Sequence, residues 1–427
     1  MTQSLSIPDL ADLAPDPTWT FADATRAHTR YLTHGYYTYP AKFIPQLAAR
    51  LIHEFTCANE IVVDPFMGSG TTVVEAVVQG RIGVGVDINP VAHLVARVKA
   101  TPLEPASLQS TYDKIVAKLE APKRGKLKVP KHDRIDYWFL PPQKEALAFL
   151  LQYLDAIDDA NVRDFFLVAF AQILKSCSIW LQRSVKPTRD FHKTPAEPFD
   201  VFLRHARYML KQNQAFWDTV PARVKEKIDT YRIVECRDAR ALPMTDGAAS
   251  SVVTSPPYVT SYEYADLHQL AALWFEHYSS LPEFRKRFIG TAYSERAEID
   301  LKSGIAEKIC AELPDAKKSR EVRNYFADLL ECFIEMRRVL KIGGKACIVI
   351  GNTELRGVKI LNAQVFVEQM QNIGFQIHRI IKREIPSKIL PQTRDPQSGK
   401  FTSAKNSNRV MAYPVEYILV MEKQRSF

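Results

Sequence analysis

Two hydrophobic patterns alternate at the two ends of this 427-residue chain, and its middle keeps only one of them. Residues 61–64, 82–86, 233–236 and 251–253 are short apolar runs bounded by turn residues, as are ACIVIGN, FQIHRIIKREI and PVEYILVM further on. Continuous runs of this length read as strands buried on both faces. Between them lie helical repeats. Ile44, Leu47, Ala48, Leu51 and Ile52 share one helical face behind Pro45, which suits a first helical turn. Helices are also predicted over residues 71–79, 262–275 and about 323–340, the last leading into a glycine turn at 341–345.

From about residue 103 the strands stop, and QKEALAFLLQYLDAI and VRDFFLVAFAQILKSCSIWL repeat only with helical spacing. The pattern predicts an α/β catalytic domain built from residues 31–102 and 231–427, with a helical insertion over 103–230. Residues 1–30 read as an irregular lead-in, and 279–320 as a charged, mobile excursion.

The chemistry gathers at the ends of the predicted strands. TSPPY, Thr254 to Tyr258, follows an apolar run and stops it, because consecutive prolines cannot continue a ladder. Ligands of open α/β sheets bind at that edge. Ser255 and the Ser255 or Pro256 carbonyl can accept hydrogen bonds from an amine on a planar ring, and Tyr258 offers a stacking face. A plain polyproline turn with a core tyrosine is the bland alternative. Upstream, DPFMGSGTT places Gly68, Ser69 and Gly70 between a strand and a helix, where small residues admit a ligand close to backbone amides. Asp87, at the end of the second strand and about 20 residues beyond, is placed to accept both hydroxyls of a ribose. The spacing is neither a dinucleotide fingerprint nor a phosphate-cradling loop with its lysine. A nucleoside carrying an amino-acid carboxylate fits it, which describes S-adenosylmethionine. Asp238, just beyond the third strand, is either a partner for an adenine amino group or an ordinary loop carboxylate.

Composition narrows the partner. A formal charge of +9 and a pI near 9.1 favour a polyanion. APKRGKLKVPKHDR carries six Lys or Arg against one Asp, and QRSVKPTRDFHK four against one, with Tyr137, Trp138 and Phe191 interleaved. The connector 386–413 adds five basic residues against Asp395. Nucleic-acid contacts are therefore expected at Lys126, Lys128, Arg183, Lys186, Arg189, Lys388, Arg394 and Lys400. The six cysteines form no C-x-x-C pair, which argues against a zinc ribbon and fits reduced thiols; no metal site is expected. Without a secretory pattern or a membrane-length apolar run, a cytoplasmic location is expected.

Four motifs together resemble the amino-group DNA methyltransferases of prokaryotic modification systems: YPAKF at 39–43, DPFMGSGTT at 64–72, VDINP at 86–90 and TSPPY at 254–258. The resemblance implies a Rossmann-like sheet of seven strands with the last antiparallel. It implies cofactor contacts from Lys42, Phe43, Asp64, Phe66, Gly68, Ser69, Gly70, Thr71, Thr72, Asp87, Asp238 and Thr254, and a catalytic tetrad of Ser255, Pro256, Pro257 and Tyr258. Double-stranded DNA is the implied substrate and a paired restriction nuclease a compatible partner, with the enzyme a monomer or dimer. Ser at the head of the tetrad is more typical in that family of N4-cytosine methylation, with N6-adenine as the alternative. An RNA methyltransferase and a non-catalytic binding partner are further readings. Carbon-5 methylation is not, because it needs an activated cysteine nucleophile in a Pro-Cys pair, and no cysteine here follows a proline.

Overall fold

A computed structural model describes residues 10, 12–25, 27–39, 42–120, 127–184, 186–259, 264–278, 280–289, 299–385, 393–394, 407–408, 410–411 and 415–425. One sheet contains strands β1 (Ile61–Asp64), β2 (Ile82–Asp87), β3 (Arg232–Cys236), β4 (Ala249–Thr254), β5 (Leu340–Ile350), β6 (Phe375–Glu384) and β7 (Val415–Lys423). Their spatial order is β3-β2-β1-β4-β5-β7-β6. β7 runs antiparallel to both β5 and β6, and the pairs from β3 across to β5 are parallel. The sheet has the seven strands and the antiparallel last strand that the resemblance implies. Strand order reverses between β1 and β4, which makes the crevice above their carboxyl ends the place for a ligand.

Helices cover both faces, which is why the central strands are apolar throughout. On one face Leu47, Leu51 and Ile52 of the Pro45–Phe55 helix pack with Val62, Val253 and Val349. On the other, Phe326 and Phe333 of the Ala316–Val339 helix and Phe366 of the Asn362–Gln371 helix pack with Val63, Val252 and Ile348. Between β2 and β3 the chain is helical, and its helices Pro141–Asp155, Ala160–Ile173 and Pro198–Thr219 enclose a separate core around Phe165, Phe166, Phe170 and Phe202. That core docks on Val91 and Val95 of the Pro90–Lys99 helix and on Leu270 and Trp274 of the Gln269–Trp274 helix.

Several elements differ from the sequence expectation. The glycines at 343 and 344 do not end a turn before the strand; β5 runs through them, and its register against β4 shifts between Ala249 and Ser251. A bulge absorbs them, with Gly343 at a φ of 75°. The helix expected over 262–275 is two short helices, Tyr264–Leu267 and Gln269–Trp274, parted at His268. The excursion at 279–320 includes the Gly304–Glu312 helix, capped by the Ser303 side chain, whose Ile309 and Cys310 join the main core. The following helix begins at Ala316 rather than about 323, because Asp315 caps it. Within the lead-in Trp19 is buried against the Pro45–Phe55 helix, with the Arg50 guanidinium 3.7 Å from its ring centroid.

Candidate active site

Asp64 ends β1 and Thr254 ends β4, and these neighbouring strands bring the glycine loop and the TSPPY loop to one edge. The Thr254 hydroxyl donates to Asp64 Oδ1 at 2.6 Å, and the Phe66 amide donates to the same oxygen at 3.1 Å. The Thr72 hydroxyl, one turn into the Thr71–Val78 helix, donates to the Val253 carbonyl at 2.9 Å. Two loops distant in sequence are thus tied by side chains from both motifs. Burial pushes the Asp64 carboxyl up to about 6, against the hydrogen bonds from Thr254 and the Phe66 amide.

The glycine loop needs its glycines for two reasons. Gly70 has a φ of 78°, and a Cβ there would lie 2.8 Å from Ala96 Cβ, so the turn is both left-handed and pressed against the next helix. Gly68 has a φ of 48°, and a Cβ would meet the Tyr39 ring at 3.2 Å. The loop is oriented from β2. The Gly68 amide donates to Asp87 Oδ2 at 3.0 Å, and the Asn89 amide donates to Oδ1 at 2.9 Å. Burial pushes the Asp87 carboxyl up to about 6; the two amide bonds work against that shift and Asp64 adds to it.

Beneath the loop lies a polar cluster that sequence reasoning missed. Lys99 is fully buried and donates from Nζ to the Ser69 carbonyl at 2.7 Å. Glu75, in the same helix as Thr71 and Thr72, accepts from the Tyr31 hydroxyl and lies 2.6 Å from His34 Nε2. Lys42 donates to the His34 carbonyl at 2.9 Å. Burial pushes Glu75 up to about 7, Lys42 down to about 8, and His34 and Lys99 well below their usual ranges. A lysine closing a helix reads as an ordinary partner for the helix end, so the sequence carried no signal for Lys99. Phe43 packs with the Pro45–Phe55 helix on one sheet face, and Phe66 against the core on the other. Pro40 and Ala41 of the YPAKF motif lie outside the described residues.

The TSPPY loop is braced from behind. The Tyr325 hydroxyl donates to the Pro257 carbonyl at 2.9 Å, and a Cβ at Gly351 would sit 3.4 Å from the half-buried Tyr258 ring. Among the described residues, neither the half-buried Ser255 hydroxyl nor the Pro256 carbonyl has a hydrogen-bond partner. These are the two acceptors expected to meet an amine. Asp238 adjoins Asp87 through the Arg237 amide, which donates to the Asp87 carbonyl at 3.0 Å. Its own carboxylate is gripped by Arg240, whose Nε and Nη2 donate to it at 2.9 and 2.6 Å. The Asp-x-Arg spacing was a readable signal for that pair.

Tyr39 links the glycine loop to the helix beyond TSPPY, since its ring stacks on His268 with centroids 4.5 Å apart. The expected nucleic-acid residues are scattered. Lys128, Arg183 and Lys186 are exposed on the insertion and Arg189 is half-buried. Lys126, Lys388 and Lys400 lie outside the described residues, as does the side chain of Arg394, whose two-residue strand pairs with Val410–Met411.

Comparison with known proteins agrees with this architecture. The N6/N4 methyltransferase family model, described as DNA methylase, matches residues 11–97 and 249–427, more than half of the chain. The unmatched stretch, 98–248, spans the helical insertion and β3. The Type II methyltransferase M.MvaI of Kocuria varians is 26% identical, over 92% of this chain and 92% of its own. M.BsoBI of Geobacillus stearothermophilus, also a Type II methyltransferase, is 22% identical over 82% and 80%. M.MjaII of Methanocaldococcus jannaschii is 44% identical over 16% of this chain and 12% of its own. With its sheet order, its paired motif loops and a family match over both, this chain belongs to the N6/N4 DNA methylases, enzymes that methylate a base amino group of DNA.

Proposed function

We propose that the chain transfers a methyl group from S-adenosylmethionine to the exocyclic N4 of a cytosine turned out of duplex DNA, as the modification enzyme of a restriction-modification system. The observation that carries this reading is the pairing of Thr254 with Asp64, which sets two free acceptors of the TSPPY loop beside the glycine loop.

The residues present fit the cofactor. Gly68 and Gly70 form a cradle that a Cβ would fill, and Asp87 holds a carboxylate at its rim. Asp87 would accept the ribose hydroxyls, Gly68 to Thr72 would hold the amino-acid end by backbone amides and hydroxyls, and Lys42, Phe43, Phe66 and Asp238 would flank them. When bound, S-adenosylmethionine supplies an electrophilic methyl group on a sulfonium.

The protein's task is to make a poor nucleophile attack. An exocyclic amine delocalises its lone pair into the ring. The Ser255 hydroxyl and the Pro256 carbonyl would accept its two N–H bonds and favour a pyramidal nitrogen with the lone pair free. As the N–C bond forms the S–C bond breaks, the sulfur leaves as a neutral thioether, and the methylated nitrogen gives up one proton to solvent water. Tyr258 stacks on the ring and holds its orientation, with Pro256 and Pro257 fixing the loop. A base within a duplex cannot reach this edge, so it must be flipped out.

Incubation with methyl-labelled S-adenosylmethionine and mixed-sequence duplex DNA, followed by digestion to nucleosides, tests the proposal. Label on N4-methylcytosine is expected; label on N6-methyladenine would keep the mechanism and overturn the base, and label on RNA alone would overturn the substrate.

A further inference from the structure

A ladder of alternating cations and aromatic rings stands on the insertion, where the Asp133–Trp138 helix meets the segment 189–191. The Arg134 and Arg189 guanidinium carbons lie 5.2 and 4.2 Å from the Tyr137 ring centroid, and Arg189 also lies 4.4 Å from that of Phe191. Phe191 is 71% exposed and Tyr137 43%. Exposed rings grouped on a charged surface mark a contact site.

Two further observations point to a polyanion. Neither Arg134 nor Arg189 pairs with a carboxylate among the described residues. Carboxylates nearby in sequence are engaged elsewhere: Asp136 binds Lys144, and Asp190 accepts from the His192 amide at 3.1 Å. The ladder is also anchored within the insertion and to the Gln269–Trp274 helix that follows TSPPY. Trp138 stacks on Trp180 with centroids 5.0 Å apart, and Trp180 bridges to Arg189. Arg134 Nη2 and Trp138 Nε1 both donate to Gln269 Oε1, at 3.0 and 3.1 Å. Gln269 follows His268, whose ring stacks on Tyr39 over the glycine loop.

We propose that this ladder is the surface on which the enzyme grips duplex DNA beside the extruded base, Arg134 and Arg189 meeting backbone phosphates and Phe191 stacking on an exposed base face. The inference rests on the reading of the chain as a DNA methyltransferase. Flipping a base leaves unstacked faces, and an aromatic ring fixed at the protein surface offers them a sequence-tolerant partner. Arginines that pair with no carboxylate among the described residues can release counterions from the duplex without giving up such a pair.

The test measures binding apart from turnover. A fluorescein-labelled 30-base-pair mixed-sequence duplex is titrated with the full-length protein, Phe191→Ala and Arg189→Gln, with S-adenosylmethionine affinity measured in parallel. Each variant should weaken duplex binding by about tenfold or more with cofactor affinity unchanged. Arg189→Gln should also reduce the slope of log affinity against log salt by about 0.9. Wild-type affinity and slope in both variants would overturn the ladder. A wild type that binds the duplex but methylates nothing would count against the methylation reading alone, since the ladder is judged on binding.

Discussion

The Thr254 hydroxyl donates to the buried Asp64 carboxylate across 2.6 Å, joining residues 190 positions apart. Through it the position of the TSPPY loop depends on that of the glycine loop. Asp64 also accepts from the Phe66 amide, so one carboxylate fixes the first residue of each loop.

Thr254→Val keeps the shape and removes the donor. Asp64 Oδ1 keeps the Phe66 amide but loses its shorter bond, which costs about 1–3 kcal/mol for a buried carboxyl group. Chemical denaturation should show that loss as a lower midpoint with an unchanged slope, and Thr254→Ser should restore most of it. A wild-type midpoint in the valine variant would show the bond to be incidental.

Lys99→Met tests the floor of the site. The ammonium donates to the Ser69 carbonyl and partly offsets the charge of Glu75, so the variant leaves a buried acceptor unpaired and should lose about 1–3 kcal/mol. Cofactor affinity should fall as well, because Ser69 belongs to the glycine loop. Unchanged stability and affinity would remove Lys99 from the account.

The carboxylates of Asp64 and Asp87 impose a pH dependence. Each is raised to about 6 from an ordinary value near 3.8, so between about pH 4 and 6 the folded chain holds protons that the unfolded chain has released. Their contribution to stability is complete below about pH 4 and is lost as pH rises through about 6. Cofactor affinity runs the other way. An ionised Asp87 is the better acceptor for ribose hydroxyls, so affinity should weaken by about tenfold between pH 7.5 and 5. Calorimetric titration would read this, and in Asp87→Asn the dependence should flatten.

Much of this was legible in the sequence because it is local. A buried strand, a glycine turn and a helix lie consecutively in DPFMGSGTT, and two prolines mark the end of β4, so the loops that flank the site could be read without contacts. What escaped depends on residues that meet only in three dimensions. His34 and Glu75 are 41 positions apart and Lys99 and Ser69 30, and no periodicity links either pair. The break at His268 coincides with its stacking on Tyr39, whereas the helical spacing continues through it. At β5 the apolar pattern starts after the glycines, but pairing with β4 and β7 carries the strand through them.

The roles assigned to Ser255 and Asp87 are tested most directly by comparing single-turnover rate and S-adenosylmethionine affinity in Ser255→Ala and Asp87→Ala. Loss of a preorganised partner to the reacting group should lower the rate in Ser255→Ala by about 10²-fold, with cofactor affinity within about twofold of wild type. Loss of a charged acceptor should weaken cofactor binding in Asp87→Ala by about 10- to 100-fold, with a smaller effect on the rate once cofactor is saturating. Equal losses of both quantities in either variant would contradict the division of labour between the two loops.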